Sequence, residues 1–89
     1  MSDPVVEAKK DAGIRAADMV QDGMVVGLGT GSTVFFAMER LWERIQSEGL
    51  HILGVPTSNQ TAMRAEEYGI PLTTLTLNPE REMEIDGAD

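Results

Sequence analysis

The chain contains no cysteine. That excludes disulfides and thiolate metal sites, and it is compatible with a cytosolic setting. Positive charge is also scarce: 7 lysines and arginines face 15 acids, for a formal net charge of −8. A nucleic-acid binder needs a basic face that displaces counterions, so no nucleic-acid partner is expected. An anionic membrane surface is disfavoured for the same reason. No long apolar run exists. The longest uncharged stretch, Gly23 to Met38, holds too many Gly, Ser and Thr residues for a lipid-facing helix. The first residues, MSDPVVEAKK, are acidic early and lack an apolar core, so they do not read as a signal peptide. These absences predict a cytoplasmic protein with no membrane partner. At 89 residues it fits one small domain, whose modest buried surface leaves stability marginal.

What is present is an alternation of helical and strand-like segments. Asp3 is placed to cap a first helix from Pro4 to about Val20, with proline at the first helical position. Val5, Ala8, Ala12, Ala16 and Met19 recur at spacings of three and four and form its apolar stripe. Met24 to Leu28 is a continuous apolar run, the pattern of a strand buried in a parallel sheet. A second helix begins near Ser32, with Val34, Met38, Leu41 and Ile45 inward, Phe35 and Trp42 widening the stripe, and Gly49 as its stop. His51 to Val55 is the second strand. Ser58 caps a third helix carrying Ala62, Met63, Ala65 and Tyr68, closed by Gly69 and Pro71. Leu72 to Leu77 reads as a strand, and Met83 and Ile85 mark a last one that delivers Asp86 at its carboxyl end. The order α-β-α-β-α-β-β predicts an α/β fold: a truncated three-layer α-β-α, Rossmann-like domain with a mostly parallel sheet.

In such folds ligands bind beyond the carboxyl ends of the strands, where three polar segments gather. The first is Gly27-Leu28-Gly29-Thr30-Gly31-Ser32-Thr33, between a strand and a helix. Its glycines permit a tight turn, and N–H groups at the helix start favour an anion. A dinucleotide fingerprint needs a third glycine where Ser32 stands, and an acid about 20 residues on that is missing from Val55-Pro56-Thr57. A Walker loop needs a lysine, and none is here. A methyltransferase loop matches Gly27, Gly29 and Gly31, but the strand ahead of it, Met24-Val25-Val26, lacks the usual acid. A phosphate cradle fits best, against the plain alternative of a tight turn. The second segment, Pro56 to Thr61, offers Ser58 as a helix cap and Thr57 or Thr61 as groups reaching sugar hydroxyls. The third, Asp86-Gly87-Ala88-Asp89, puts two carboxylates together at a strand end, where mutual repulsion would split their pKa values and free one for acid–base work. Two acids and the distant His51 are a poor metal set, so no metal is expected. His51 reads as a surface residue, and Lys9 and Lys10 as solvated.

Taken together, VVGLGTGST, PTSNQT and EIDGAD, in this order and spacing, resemble ribose-5-phosphate isomerase type A over nearly the whole chain from Lys9 onward. The resemblance implies interconversion of ribose 5-phosphate and ribulose 5-phosphate through an enediol, with no metal or other cofactor. It implies that Thr30, Gly31, Ser32 and Thr33 bind substrate, with Ser58 and Thr61 supporting them. Asp86, Gly87, Ala88 and Asp89 match the family's acidic segment, where Asp86 and Asp89 contact the sugar and assist ring opening or proton shuttling. The family carries a lysine, a glycine run and the enediol-forming glutamate beyond this segment. The 89 residues are therefore expected to be the N-terminal part of a longer enzyme, inactive alone, and to form a homo-oligomer through an open sheet edge. A sugar-phosphate-sensing regulatory module and a methyltransferase fragment are the competing readings.

Overall fold

The computed structural model describes residues 3–74, 77 and 82–86. The elements run α1 (Pro4–Asp18), β1 (Val25–Leu28), α2 (Ser32–Glu48), β2 (Leu53–Pro56), α3 (Asn59–Glu67) and β3 (Met83–Ile85). The strands form a parallel sheet in the order β2-β1-β3. The expected α/β architecture is the observed one. All four residues of β1 are buried, as a central parallel strand requires. Glu82 ties β3 to the start of β1: its N–H donates to the Val25 carbonyl at 3.0 Å, and its Oε2 accepts from the Val25 N–H at 2.6 Å. That clamp sets a register in which Ile85 and Pro56 both lie beside Leu28.

Helix starts and stops follow the side chains. Asp3 Oδ1 accepts from the Val5 N–H at 2.9 Å, and Ser58 Oγ accepts from the Thr61 N–H at 3.1 Å. Gly49 closes α2 in the left-handed conformation. Val20, Val26, Leu28, Val34, Met38 and Leu41 are fully buried and form the centre of the core. Each such side chain stabilises the fold by about 1.5–3 kcal/mol.

The buried face of α1 is not the expected one. Val5 is 61% exposed and Met19 68% exposed, Ala8 and Ala12 face solvent, and only Ala16 of the proposed stripe is half-buried. The face that packs carries Gly13, Ala17 and Val20, with Lys9 and Ile14 half-buried beside it. The reason is close approach to α2. A Cβ at Gly13 would lie 2.5 Å from the Thr33 carbonyl oxygen and 2.9 Å from the Ala37 nitrogen. Small residues, not hydrophobic ones, decide which face meets α2, and a hydrophobicity pattern gives glycine no weight.

Smaller corrections have similar causes. Trp42 and Met63, expected to pack, are 42% and 64% exposed, while the polar Thr61 is buried. Strand β2 starts at Leu53 rather than His51. Of the strand expected over Leu72 to Leu77, Leu72 makes a single parallel bridge to Gly54 and the Thr73 N–H donates to the Gly54 carbonyl at 2.8 Å, while residues 75 and 76 lie outside the described residues.

Arg44 on α2 satisfies the end of α1. Its guanidinium, 12% exposed, donates to the carbonyls of Ala17 at 2.8 Å and Val20 at 2.6 Å and pairs with Glu48 at 3.1 Å. A cation at a helix C-terminus also meets the negative end of the helix dipole. Arg44→Met keeps the apolar stem and removes both bonds. It is expected to cost about 1–2 kcal/mol, read as a lower thermal midpoint, and an unchanged midpoint would refute this role.

Candidate functional site

Because all three strands are parallel, their carboxyl ends open on one edge of the sheet. Leu28 leads into Gly29-Thr30-Gly31, Pro56 into Thr57-Ser58, and Ile85 into Asp86. Hydrogen bonds then knit these three exits together. The Gly29 N–H donates to the Ile85 carbonyl at 2.9 Å, which holds the loop to the end of β3. The Thr57 N–H and its Oγ1 both donate to the Leu28 carbonyl, at 3.0 and 3.2 Å. Thr61 Oγ1 donates to the Gly29 carbonyl at 2.9 Å and accepts from Ser58 Oγ at 3.0 Å.

Two glycines are required by this geometry. Gly31 sits at the N-cap of α2 with φ +104° and ψ 165°, a conformation L side chains rarely adopt. It offers no capping side chain, and the first turn of α2 carries no acid. The positive end of a helix of 17 residues thus opens on the rim with no acid in its own first turn. Thr30 beside it is exposed, and Ser32 and Thr33 are half-buried. Gly29 is needed for a different reason. A Cβ there would overlap Asp86 Oδ1 and lie 2.9 Å from Asp86 Cγ. The carboxylate of Asp86 therefore rests directly on the glycine loop, with its residue exposed to solvent.

Of the residues singled out from sequence, Thr30, Gly31, Ser32, Thr33 and Asp86 meet at this rim. Gly87, Ala88 and Asp89 lie outside the described residues. Thr61 differs from expectation. It is 1% exposed, and its hydroxyl is engaged within the protein rather than turned to a ligand. Thr57 is likewise bonded inward through its hydroxyl. The unbroken polar run Thr57 to Thr61 cannot distinguish these roles, because the outcome depends on which loop packs over α3.

His51 is at the surface, as expected. Its N–H donates to Asp22 Oδ1 at 2.7 Å, and that bond holds the Asp22 carboxyl below the usual range, with the His51 ring adding a smaller effect. Asp22 lies in the turn before β1, far along the sheet from the three loops. At that same amino edge is a cavity of about 580 Å³ lined by Met24, Ile45, Leu50, Ile52, Leu53 and Pro71 among others. Its walls are mainly apolar, with His51 as their one titratable side chain among the described residues, unlike the polar rim at the other end of the strands. Among the described residues no three His, Cys, Asp or Glu side chains gather as a metal would need.

Comparison with known proteins agrees with this fold. A family model described as Ribose 5-phosphate isomerase A (phosphoriboisomerase A) matches residues 53–89. Ribose-5-phosphate isomerase A of Methanoregula boonei is 64% identical over 88 residues, covering 99% of this chain and 37% of that protein. Among solved structures, ribose 5-phosphate isomerase A from Methanocaldococcus jannaschii superposes with a TM-score of 0.86 at 42% identity, over 93% of this chain and 36% of the other. A D-ribose-5-phosphate isomerase in complex with phospho-erythronic acid superposes with a TM-score of 0.87 at 39% identity, over 93% and 37%. The chain thus spans little more than a third of the length of these relatives.

Proposed function

We propose, from the premise that this chain is a relative of ribose-5-phosphate isomerase A along nearly its whole length, that it forms the substrate-holding part of an aldose–ketose isomerase. The substrate pair is ribose 5-phosphate and ribulose 5-phosphate. In the reaction a proton leaves C2 of the open-chain aldose, an enediol forms, and a proton is delivered to C1 while the O2 proton moves to O1. Atoms and electrons balance within the substrate, so no redox cofactor is called for.

The single observation that carries this reading is the Asp86 carboxylate lying against Gly29. It sets an acid beside an anion cradle, the pair a phosphorylated polyol needs. In the proposed arrangement the N–H groups and hydroxyls of Thr30, Gly31, Ser32 and Thr33 hold the phosphate. Asp86, with Gly87, Ala88 and Asp89, receives the sugar hydroxyls and assists ring opening. The likeness to a protein solved with phospho-erythronic acid supports a phosphorylated sugar acid or sugar as the ligand class. The resemblance puts the proton-moving glutamate after the acidic segment, so binding without turnover is the expected behaviour of these 89 residues. A cytoplasmic setting and self-association belong to the same reading. Among the described residues no helix is long and apolar enough to cross a membrane, and β3 pairs with a strand on one side only.

The test is an NMR titration of the 89-residue chain with ribose 5-phosphate, inorganic phosphate and S-adenosylmethionine. Amides from Thr30 to Val34 are expected to shift with the first two and not with the third. Silence towards both phosphates, or a response to S-adenosylmethionine alone, would refute the reading.

A further inference from the structure

Both polar groups of Gly29 are already committed. Its N–H goes to the Ile85 carbonyl and its C=O to Thr61 Oγ1. The Gly29–Thr30 peptide is trans and planar, since the described chain contains no cis bond. In such a unit the C=O and the following N–H point in opposite directions. Pulling the Gly29 carbonyl toward α3 therefore turns the Thr30 N–H away from α3, and Thr30 itself is an exposed residue. Thr61 is itself fixed: it is 1% exposed, it accepts from Ser58 Oγ at 3.0 Å, and its N–H bonds Ser58 Oγ at 3.1 Å. Ser58, Thr61 and Gly29 thus form a relay of hydroxyls from the cap of α3 to the glycine loop.

We infer that Thr61 is a positioning residue for anion binding: its hydroxyl sets the orientation of the Gly29–Thr30 peptide so that the Thr30 N–H is presented to the phosphate. The inference rests on the reading of this loop as a phosphate cradle. It departs from the simpler view of Thr61 as a group that touches the sugar, because its hydroxyl is buried and spent on the loop. It also differs from a purely structural role. A purely structural role would cost stability alone, whereas an oriented donor would cost anion affinity at Thr30.

Three forms of the 89-residue chain separate these possibilities: wild type, Thr61→Ser, which keeps the hydroxyl, and Thr61→Val, which is nearly isosteric and removes it. Each is titrated with inorganic phosphate and with ribose 5-phosphate, following each amide by NMR. Thr61→Ser is expected to bind within about twofold of wild type, and Thr61→Val about tenfold more weakly, as the loss of one oriented charge-assisted bond implies. The Thr30 amide is expected to lose its response in Thr61→Val while amides of the first turn of α2 keep theirs, a selectivity that general loosening of the fold would not produce. If Thr61→Val does not fold, Ser58→Gly reads the relay from its other end. Glycine keeps most of the capping preference, and the same selective weakening at Thr30 is expected. Phosphate binding at wild-type strength, with a normal Thr30 response, in a folded Thr61→Val or Ser58→Gly chain overturns the inference alone. A wild-type chain that responds to neither phosphate overturns the functional reading and the inference with it.

Discussion

Gly13→Ala is expected to lower the stability of the chain by about 2–3 kcal/mol, with the damage carried into the opening turn of α2 and the glycine loop before it. A methyl at residue 13 would stand 2.5 Å from the Thr33 carbonyl oxygen, 2.9 Å from the Ala37 nitrogen and 2.9 Å from Phe36 Cβ. Two of these three neighbours are backbone, so no side-chain rotation relieves the overlap. Helices α1 and α2 must separate, and the contact broken first is at the opening turn of α2, where Thr33 lies. Alanine's better helix propensity returns only about 1 kcal/mol. Total stability of a small domain is about 5–15 kcal/mol, so the loss is a large share. Thermal unfolding followed by circular dichroism should show a midpoint lower by about 10 °C or more, at 4–8 °C per kcal/mol. A variant as stable as wild type would mean that the helices do not meet at Gly13.

Gly29→Ala is expected to spare the fold and damage the site. The added methyl meets the end of a side chain, the Asp86 carboxylate, and only secondarily the Asp86 Cα at 3.3 Å. A short side chain can swing aside, so the stability cost should stay near 1 kcal/mol or below. The position of the carboxylate over the loop is lost, however. Under the proposed function Asp86 faces sugar hydroxyls, so affinity for ribose 5-phosphate should fall about tenfold, or about 1.4 kcal/mol. Affinity for inorganic phosphate, which has no sugar to present, should fall less. Calorimetric titration of both ligands against both chains checks this. Equal losses for the two ligands would count against Asp86 as a sugar contact, and no loss for either would show that its placement is immaterial.

The contrast between these two glycines shows what could be read from the residues in order. Gly29 and Gly31 stand in GLGTGST, between an apolar run and a helix signal, and local chemistry alone marks them as a loop that a ligand approaches. The parallel α/β class, the caps at Asp3 and Ser58, and the delivery of Asp86 by a last strand were legible for the same reason. Each depends on neighbours within a few positions. Gly13 stands in KKDAGIRAA, where it looks like a mild defect in a helix. Its role appears only when α2 is laid against it, because a close backbone approach involves residues 20 or more positions away and leaves no periodic trace.

The same division separates the two hydroxyl residues of the second loop. That Ser58 caps a helix follows from its place before that helix. That Thr61 turns inward to the Gly29 carbonyl, 32 residues earlier, follows from the parallel pairing that seats β2 beside β1. Sequence by itself determined the three helices and where they start, the strands before and after them to within a few residues, and which loops carry polar chemistry, since these are local matters of torsion, capping and periodicity. Tertiary structure alone decided which helix face is buried, which threonine is spent inside the protein, and that Asp86 lies on Gly29. Those outcomes depend on distances between segments remote in the chain, fixed only when the sheet assembles.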